Sequence, residues 1–217
     1  MLTTIALAVL LQQGEIIALE KDPWAGFAVG SWVKLKSTRG PVVEEARITL
    51  AAENRFERDP APEEGSASFP RVFVPYTRVI GILGLKQLGK GTETLKVGAK
   101  ARVAEFGPAD PSIVWAVRWR VSTSDDVPGG VGRVTIEVAG DKPGRVTLEA
   151  VAVEKLKVGT KDVPCVRFQY KRTIAREDGV EASYWLSSQV PGLLVRFVAR
   201  SGKAEARVDA LDFEAKK

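Results

Sequence analysis

Apolar and polar side chains alternate with a period of two through most of this chain, the spacing that puts successive residues on opposite faces of a β-strand. In residues 113–121, Ile113, Trp115, Val117, Trp119 and Val121 fall on one face, and Arg118 and Arg120 on the other. The same alternation marks residues 133–138, 145–149, 166–171 and 193–200. Between these runs stand clusters of turn formers: Val127-Pro128-Gly129-Gly130, Gly140-Asp141-Lys142-Pro143-Gly144, Glu177-Asp178-Gly179 and Val190-Pro191-Gly192. Glycine supplies positive φ and proline presets φ, so such clusters reverse the chain. Strands with one polar face joined by tight turns predict an antiparallel meander, because parallel neighbours need long crossovers for which the spacing leaves no room.

Three stretches fit less simply. Residues 42–58 contain helix formers in Glu44-Glu45-Ala46-Arg47, yet Ile48-Thr49-Leu50 continues the strand pattern, and a strand is expected. Residues 59–66 are acidic and proline-rich and predict a loop excursion. Residues 79–88 are apolar but broken by Gly81 and Gly84, which predicts either a short helix covering the sheet or a flap.

The chain also repeats itself. Leu95-Lys96-Val97-Gly98-Ala99-Lys100 recurs 61 residues later as Leu156-Lys157-Val158-Gly159-Thr160-Lys161, and Val127-Pro128-Gly129 recurs 63 residues later as Val190-Pro191-Gly192. A unit of about sixty residues is too long for the common solenoids and fits a duplicated set of roughly four strands. Asp22-Pro23-Trp24-Ala25-Gly26-Phe27-Ala28-Val29-Gly30-Ser31-Trp32-Val33, with the two copies of Leu-Lys-Val-Gly-x-Lys and Val-Pro-Gly, resembles a group of uncharacterised exported bacterial β proteins. Val163-Pro164-Cys165 leading into a strand, then Tyr184-Trp185-Leu186-Ser187 and Val190-Pro191-Gly192-Leu193-Leu194-Val195, is similar to the curved-sheet proteins of the periplasmic lipoprotein-carrier (LolA-like) superfamily. That resemblance implies a concave antiparallel sheet wrapped around an acyl chain or an apolar plug. Its motifs are turns and strands, so it carries over no catalytic residue. The expected fold is mainly β with little helix: a curved antiparallel sheet, as a half-barrel, barrel-like or sandwich form, built from the duplicated unit. One β domain is expected over residues 19–217, with repeats at about 93–139 and 154–200.

Residues 2–11 form an apolar run ending at Gln12-Gln13-Gly14-Glu15, the length of a signal-peptide core and too short to span a bilayer. Residues 1–18 are therefore expected to be a signal peptide cut after Ala18, although no Lys or Arg precedes the run. The protein is then periplasmic or secreted; the alternative is a cytoplasmic protein whose first segment packs on the domain. Cys165 is the one cysteine, so no internal disulfide is expected, nor an acylated cysteine near the N-terminus. The net charge of +5 is diffuse, with no basic run or interleaved aromatics of a nucleic-acid binder, and no nucleic-acid partner is expected.

The 217 residues include no histidine. That removes His-based general acid–base catalysis, Ser-His-Asp and Cys-His nucleophiles, and metal sites built on imidazole. Cys165 beside Val163 and Val166 reads as a buried hydrophobe, Asp125-Asp126 as turn residues before Pro128, and Ser187-Ser188 lacks a base. No catalytic residue, metal ligand or cofactor is expected. The candidates for an apolar-ligand lining, or for core, are Trp115, Trp119, Tyr184 and Trp185; Tyr184 and Trp185 are consecutive, so only one of them faces inward. The leading expectation is a non-enzymatic exported protein that binds a lipid or apolar small molecule on a concave sheet. The alternative is a structural or protein-interaction module of the cell envelope with a filled core and an envelope protein as partner. Neither is transmembrane.

Overall fold

The computed structural model describes residues 19–53, 55–61, 76–110, 117–138, 144–174 and 177–217. They form twelve strands and one short helix. The strands are β1 (Trp32–Arg39), β2 (Val42–Ala52), β3 (Arg55–Asp59), β4 (Leu85–Thr94), β5 (Lys100–Pro108), β6 (Val117–Thr123), β7 (Val131–Val138), β8 (Gly144–Val158), β9 (Lys161–Ile174), β10 (Glu177–Leu186), β11 (Leu194–Ser201) and β12 (Ala204–Glu214). The helix α1 (Tyr76–Ile82) lies between β3 and β4. All twelve strands join in one antiparallel sheet of order β3-β2-β1-β12-β11-β10-β9-β8-β7-β6-β5-β4. The sheet is open, with β3 and β4 as its edges. From β4 to β12 it is a plain meander; β1 then docks on β12, and the connection through α1 links one edge of the sheet to the other.

The two-residue period of the sequence becomes two sets of cross-strand rows. On the core face run Phe106–Trp119–Ile136–Val146, then Val121–Val134–Leu148–Tyr170–Ala182, then Ala150–Phe168–Tyr184–Phe197–Val208. On the opposite face a charged and polar row runs Glu105–Arg120–Thr135–Thr147–Lys171–Glu181–Arg200–Glu205. Each fully buried Val, Leu, Ile or Phe of the first set contributes about 1.5–3 kcal/mol, and the second set keeps that face in water.

The sheet is strongly curled. Four strand spacings separate β12 from β8, about 19 Å in a flat sheet, yet the two touch. The long β8–β9 hairpin reaches across: Lys161 Nζ donates to the Phe213 carbonyl at 2.7 Å, and Gly159 lies against the Leu211 carbonyl, which a Cβ there would approach to 3.3 Å. A bulge between Ala150 and Ala152 precedes this reach. Beyond it, Val158, Val163 and Cys165 are buried while Val153 is exposed.

The two Val-Pro-Gly turns carry the same hydrogen bonds 63 residues apart. Ser124 N–H donates to Gly130 O (2.6 Å) as Ser187 does to Leu193 O (2.9 Å), Gly130 N–H to Val127 O (3.0 Å) as Leu193 does to Val190 O (2.8 Å). Asp126 N–H reaches Ser124 Oγ at 3.4 Å and Gln189 N–H reaches Ser187 Oγ at 3.3 Å.

Sequence and structure differ in places. Glu177-Asp178-Gly179 is no turn but the start of β10, where the register shifts between Glu177 and Val180. The extra residues form a bulge, and Gly179 suits it because a Cβ would lie 2.6 Å from the Arg172 carbonyl. Residues 79–88 divide: α1 runs to Ile82, Gly84 N–H closes a turn on Gly81 O (3.1 Å), and β4 begins at Leu85. Of residues 42–58, Val42–Ala52 and the run from Arg55 on are strand, as expected. The turn at 140–143, residues 113–116 and residues 1–18 lie outside the described residues.

Candidate functional site

β6 turns Trp119 into the core, where it is 1 % exposed between Phe106 and Ile136. Its indole N–H has no acceptor among the described residues. Tyr184 on β10 faces the same way, its ring 4.7 Å from that of Phe197. Strand alternation sends Trp185 to the other face. There its Nε1 donates to Glu154 Oε2 at 2.8 Å, Glu154 also holds Arg167 at 3.1 Å, and the Arg196 guanidinium lies 5.8 Å from the ring centre. Trp119 and Tyr184 are thus brought to one face, Trp185 is a fastener on the reverse side, and Trp115 lies outside the described residues.

Trp119, Phe168, Leu148, Ile136 and Leu186 are each at most 1 % exposed. Such side chains touch neither solvent nor a water-sized void; they touch other side chains. Leu19, Trp24, Tyr76 and Ile80 belong to the same buried cluster. Trp24 stacks near Phe56 (5.0 Å) and seats on Gly192, where a Cβ would come within 3.1 Å of its ring. Tyr76 lies 6.0 Å from Phe106 and its N–H donates to Leu19 O at 2.6 Å.

Two open grooves flank the Val127–Gly130 turn. One, of about 380 Å³, runs between Lys21, Phe27, the turn and Lys217; the other, of about 740 Å³, lies between Thr92, Glu93, Arg102 and Ser124. Their charges neutralise one another. Asp125 takes Lys21 at 3.0 Å and Arg102 at 3.1 Å, and Arg102 also reaches Glu20 at 3.3 Å. The hydrogen bonds from Lys21 and Arg102 hold the Asp125 carboxyl below its ordinary range. Asp125 is therefore a surface clamp, and no group of three potential metal ligands occurs among the described residues.

The charged face holds a network that the sequence did not announce. Glu93 of β4 accepts from Ser122 Oγ and from Arg133 (3.2 Å), Arg133 also grips Glu149 of β8, and Lys96 closes on Glu149 at 3.1 Å. Burial raises the Glu149 pKa, but Arg133 and Lys96 outweigh it and the net shift is downward. Its members come from four strands and one hairpin end, so no local spacing points to it. Cys165 is buried with Sγ donating to Val163 O at 3.2 Å; burial pushes its thiol up to about 11, the opposite of an activated nucleophile.

No family model matches the chain, and no curated protein matches it. Among solved structures it is similar to one described as a "putative lipoprotein" from Parabacteroides distasonis ATCC 8503, at 9 % identity and a TM-score of 0.34, over 86 % of this chain and 96 % of that one.

Proposed function

We propose that this is a non-enzymatic exported β protein that works as an interaction module of the cell envelope, through its surface and with a filled interior. The observation that carries the reading is the packing of the core face: Trp119, Phe168 and Tyr184, which would line an apolar cavity, are at most 2 % exposed and share one buried cluster with Leu19, Trp24, Tyr76 and Ile80. The described grooves are about half polar and are crossed by the paired charges of Lys21, Arg102 and Asp125, whereas pockets that hold small ligands are mostly apolar. Support for export is the apolar run of residues 2–11. The matching bonds of the two Val-Pro-Gly turns support a duplicated unit, and what the two copies share is turn geometry without a reactive group.

A second reading, a carrier of a lipid or other apolar molecule, is favoured by one observation: the buried Trp119 N–H without an acceptor among the described residues. A ligand carbonyl or hydroxyl would satisfy it, once α1 or the N-terminal segment moved aside. Native mass spectrometry and organic extraction of protein purified from its host separate the two. The module is expected to carry no lipid and to leave a fluorescent fatty-acid probe undisplaced; a stoichiometric lipid would decide for the carrier.

A further inference from the structure

The two edges of the sheet are built differently. β3 is five residues long, its Arg55 faces Glu57 and its Arg58 faces Glu44 of β2, each at 3.7 Å, and Pro60, which has no N–H, follows it. That edge is blunted in the ways natural sheets blunt edges. β4 is ten residues long, pairs with β5 along its whole length, and has no strand on its other side among the described residues. Its Leu88 sits at a bulge between Gln87 and Gly89 and is 59 % exposed. Gly89 and Gly91 raise no side chain of their own beside the edge backbone, where the Gln87 side-chain amide donates to the Gly89 carbonyl at 3.2 Å. Lys86 and Lys90 are exposed and form no ion pair among the described residues, whereas the strand's acid at Glu93 is taken up by Ser122 and Arg133.

From this we infer that β4 is a docking edge for an extended acidic segment of a partner protein, which adds to the sheet as a further strand. The inference rests on the reading that the protein acts through its surface. Backbone bonds along the free edge would supply most of the affinity, and side chains the choice of partner. The choice of an acidic partner follows from Lys86 and Lys90, the two unpaired charges of the strand. A second copy is disfavoured by the same lysines, because pairing β4 with itself about Gly89–Gly91 sets like charges together. The bulge also fixes a spacing. Lys86 stands opposite Gly107 and Lys90 opposite Ala104, so a regular incoming strand meets the two lysines at positions three apart, one on each face.

The test uses a labelled acetylated peptide, Thr-Val-Glu-Thr-Val-Glu-Thr-Val-Thr, against the same peptide with both Glu changed to Lys, read by fluorescence anisotropy and by hydrogen exchange of the β4 amides. The Glu peptide should bind about tenfold more tightly than the Lys peptide and should slow exchange in residues 85–94. The exposed double variant Lys86→Glu, Lys90→Glu should keep the fold and reverse the preference. Absence of binding, binding that ignores the double variant, or binding that leaves β4 exchange unchanged overturns the proposal. So does a dimer of the free protein, seen by sedimentation, with β4 protected, which would make the edge a self-interface. A lipid in the interior would defeat the filled-interior reading without touching these readouts, so the two failures are distinguishable.

Discussion

Trp119 brings a polar N–H into the core face and finds no acceptor there among the described residues. An unmet buried donor costs about 1–3 kcal/mol, while the ring fills space that truncation would empty. Replacing the indole by a smaller ring removes both the penalty and some packing, so Trp119→Phe is expected to change stability by less than about 1.5 kcal/mol, whereas Trp119→Ala is expected to cost about 3–5 kcal/mol. Urea unfolding of the two variants checks this. A loss for Trp119→Phe as large as for Trp119→Ala would mean that the N–H bonds something inside, which is the carrier's signature. Alternation alone put Trp119 with Val121 on one face and Arg118 and Arg120 on the other, and Tyr184 and Trp185 on opposite faces; the structure keeps both assignments. What alternation could not give was the donor's lack of an acceptor, because that depends on Phe106 and Ile136 from neighbouring strands being apolar.

At the scale of elements, the Val127–Gly130 turn shows how a local motif is held by a distant segment. Glu20 N–H donates to Gly129 O at 2.8 Å, and the Leu19 side chain presses so closely on Gly129 that a Cβ there would clash with it. Gly129 also has φ +70°, where an L side chain costs about 1–2 kcal/mol. Gly129→Ala should therefore cost more than about 2 kcal/mol in the natural chain. In a Leu19→Ala background, where the clash is relieved and only the Leu193 side chain stays close at 3.2 Å, the same change should cost little beyond the backbone strain of about 1–2 kcal/mol. Equal costs in both backgrounds would show that Leu19 does not clamp the turn. The sister turn at Val190–Leu193 tolerates a leucine at φ 65° where this one has Gly130, because Leu193 is buried and its packing offsets the strain. Turns and strands were legible in the sequence because glycine, proline and period two act locally. The Leu19 clamp and the Glu93–Arg133–Glu149 network were not: Arg133 and Glu149 are cross-strand neighbours, but Leu19 and Glu93 reach partners that are distant in sequence and not on adjacent strands.

The order of the whole sheet has a simple form that the chain's numbering hides. Starting from β4 and ending at β3, every strand sits beside the next if β12 is allowed to lead into β1. The two ends that this requires are already close. Ala28 N–H donates to Lys216 O at 2.8 Å, Lys216 N–H donates to Ser31 Oγ at 2.9 Å, and Lys21 and Lys217 line one groove. A curved antiparallel sheet was legible in the sequence, as a half-barrel, barrel-like or sandwich form, but this edge-to-edge wiring of one open sheet was not, since a β3–α1–β4 connection reads the same whether it joins neighbours or opposite edges. The wiring makes the role of that connection testable. Linking Lys217 to Leu19 through about six flexible residues, which span up to about 20 Å, and opening the chain after Ala61 gives a permutant whose strands run as one uninterrupted meander. If the strand ladder specifies the fold and the connection serves only to place Tyr76 and Ile80 on the core, the permutant keeps both the sheet and that cover. It should show the far-ultraviolet and near-ultraviolet circular dichroism of the natural chain and one cooperative urea transition. It should also fold faster, because β4 no longer has to wait at the far end of a long loop while β1 waits for β12. A permutant that retains strand signal but loses near-ultraviolet signal and cooperativity would place the organising role in the crossing segment instead.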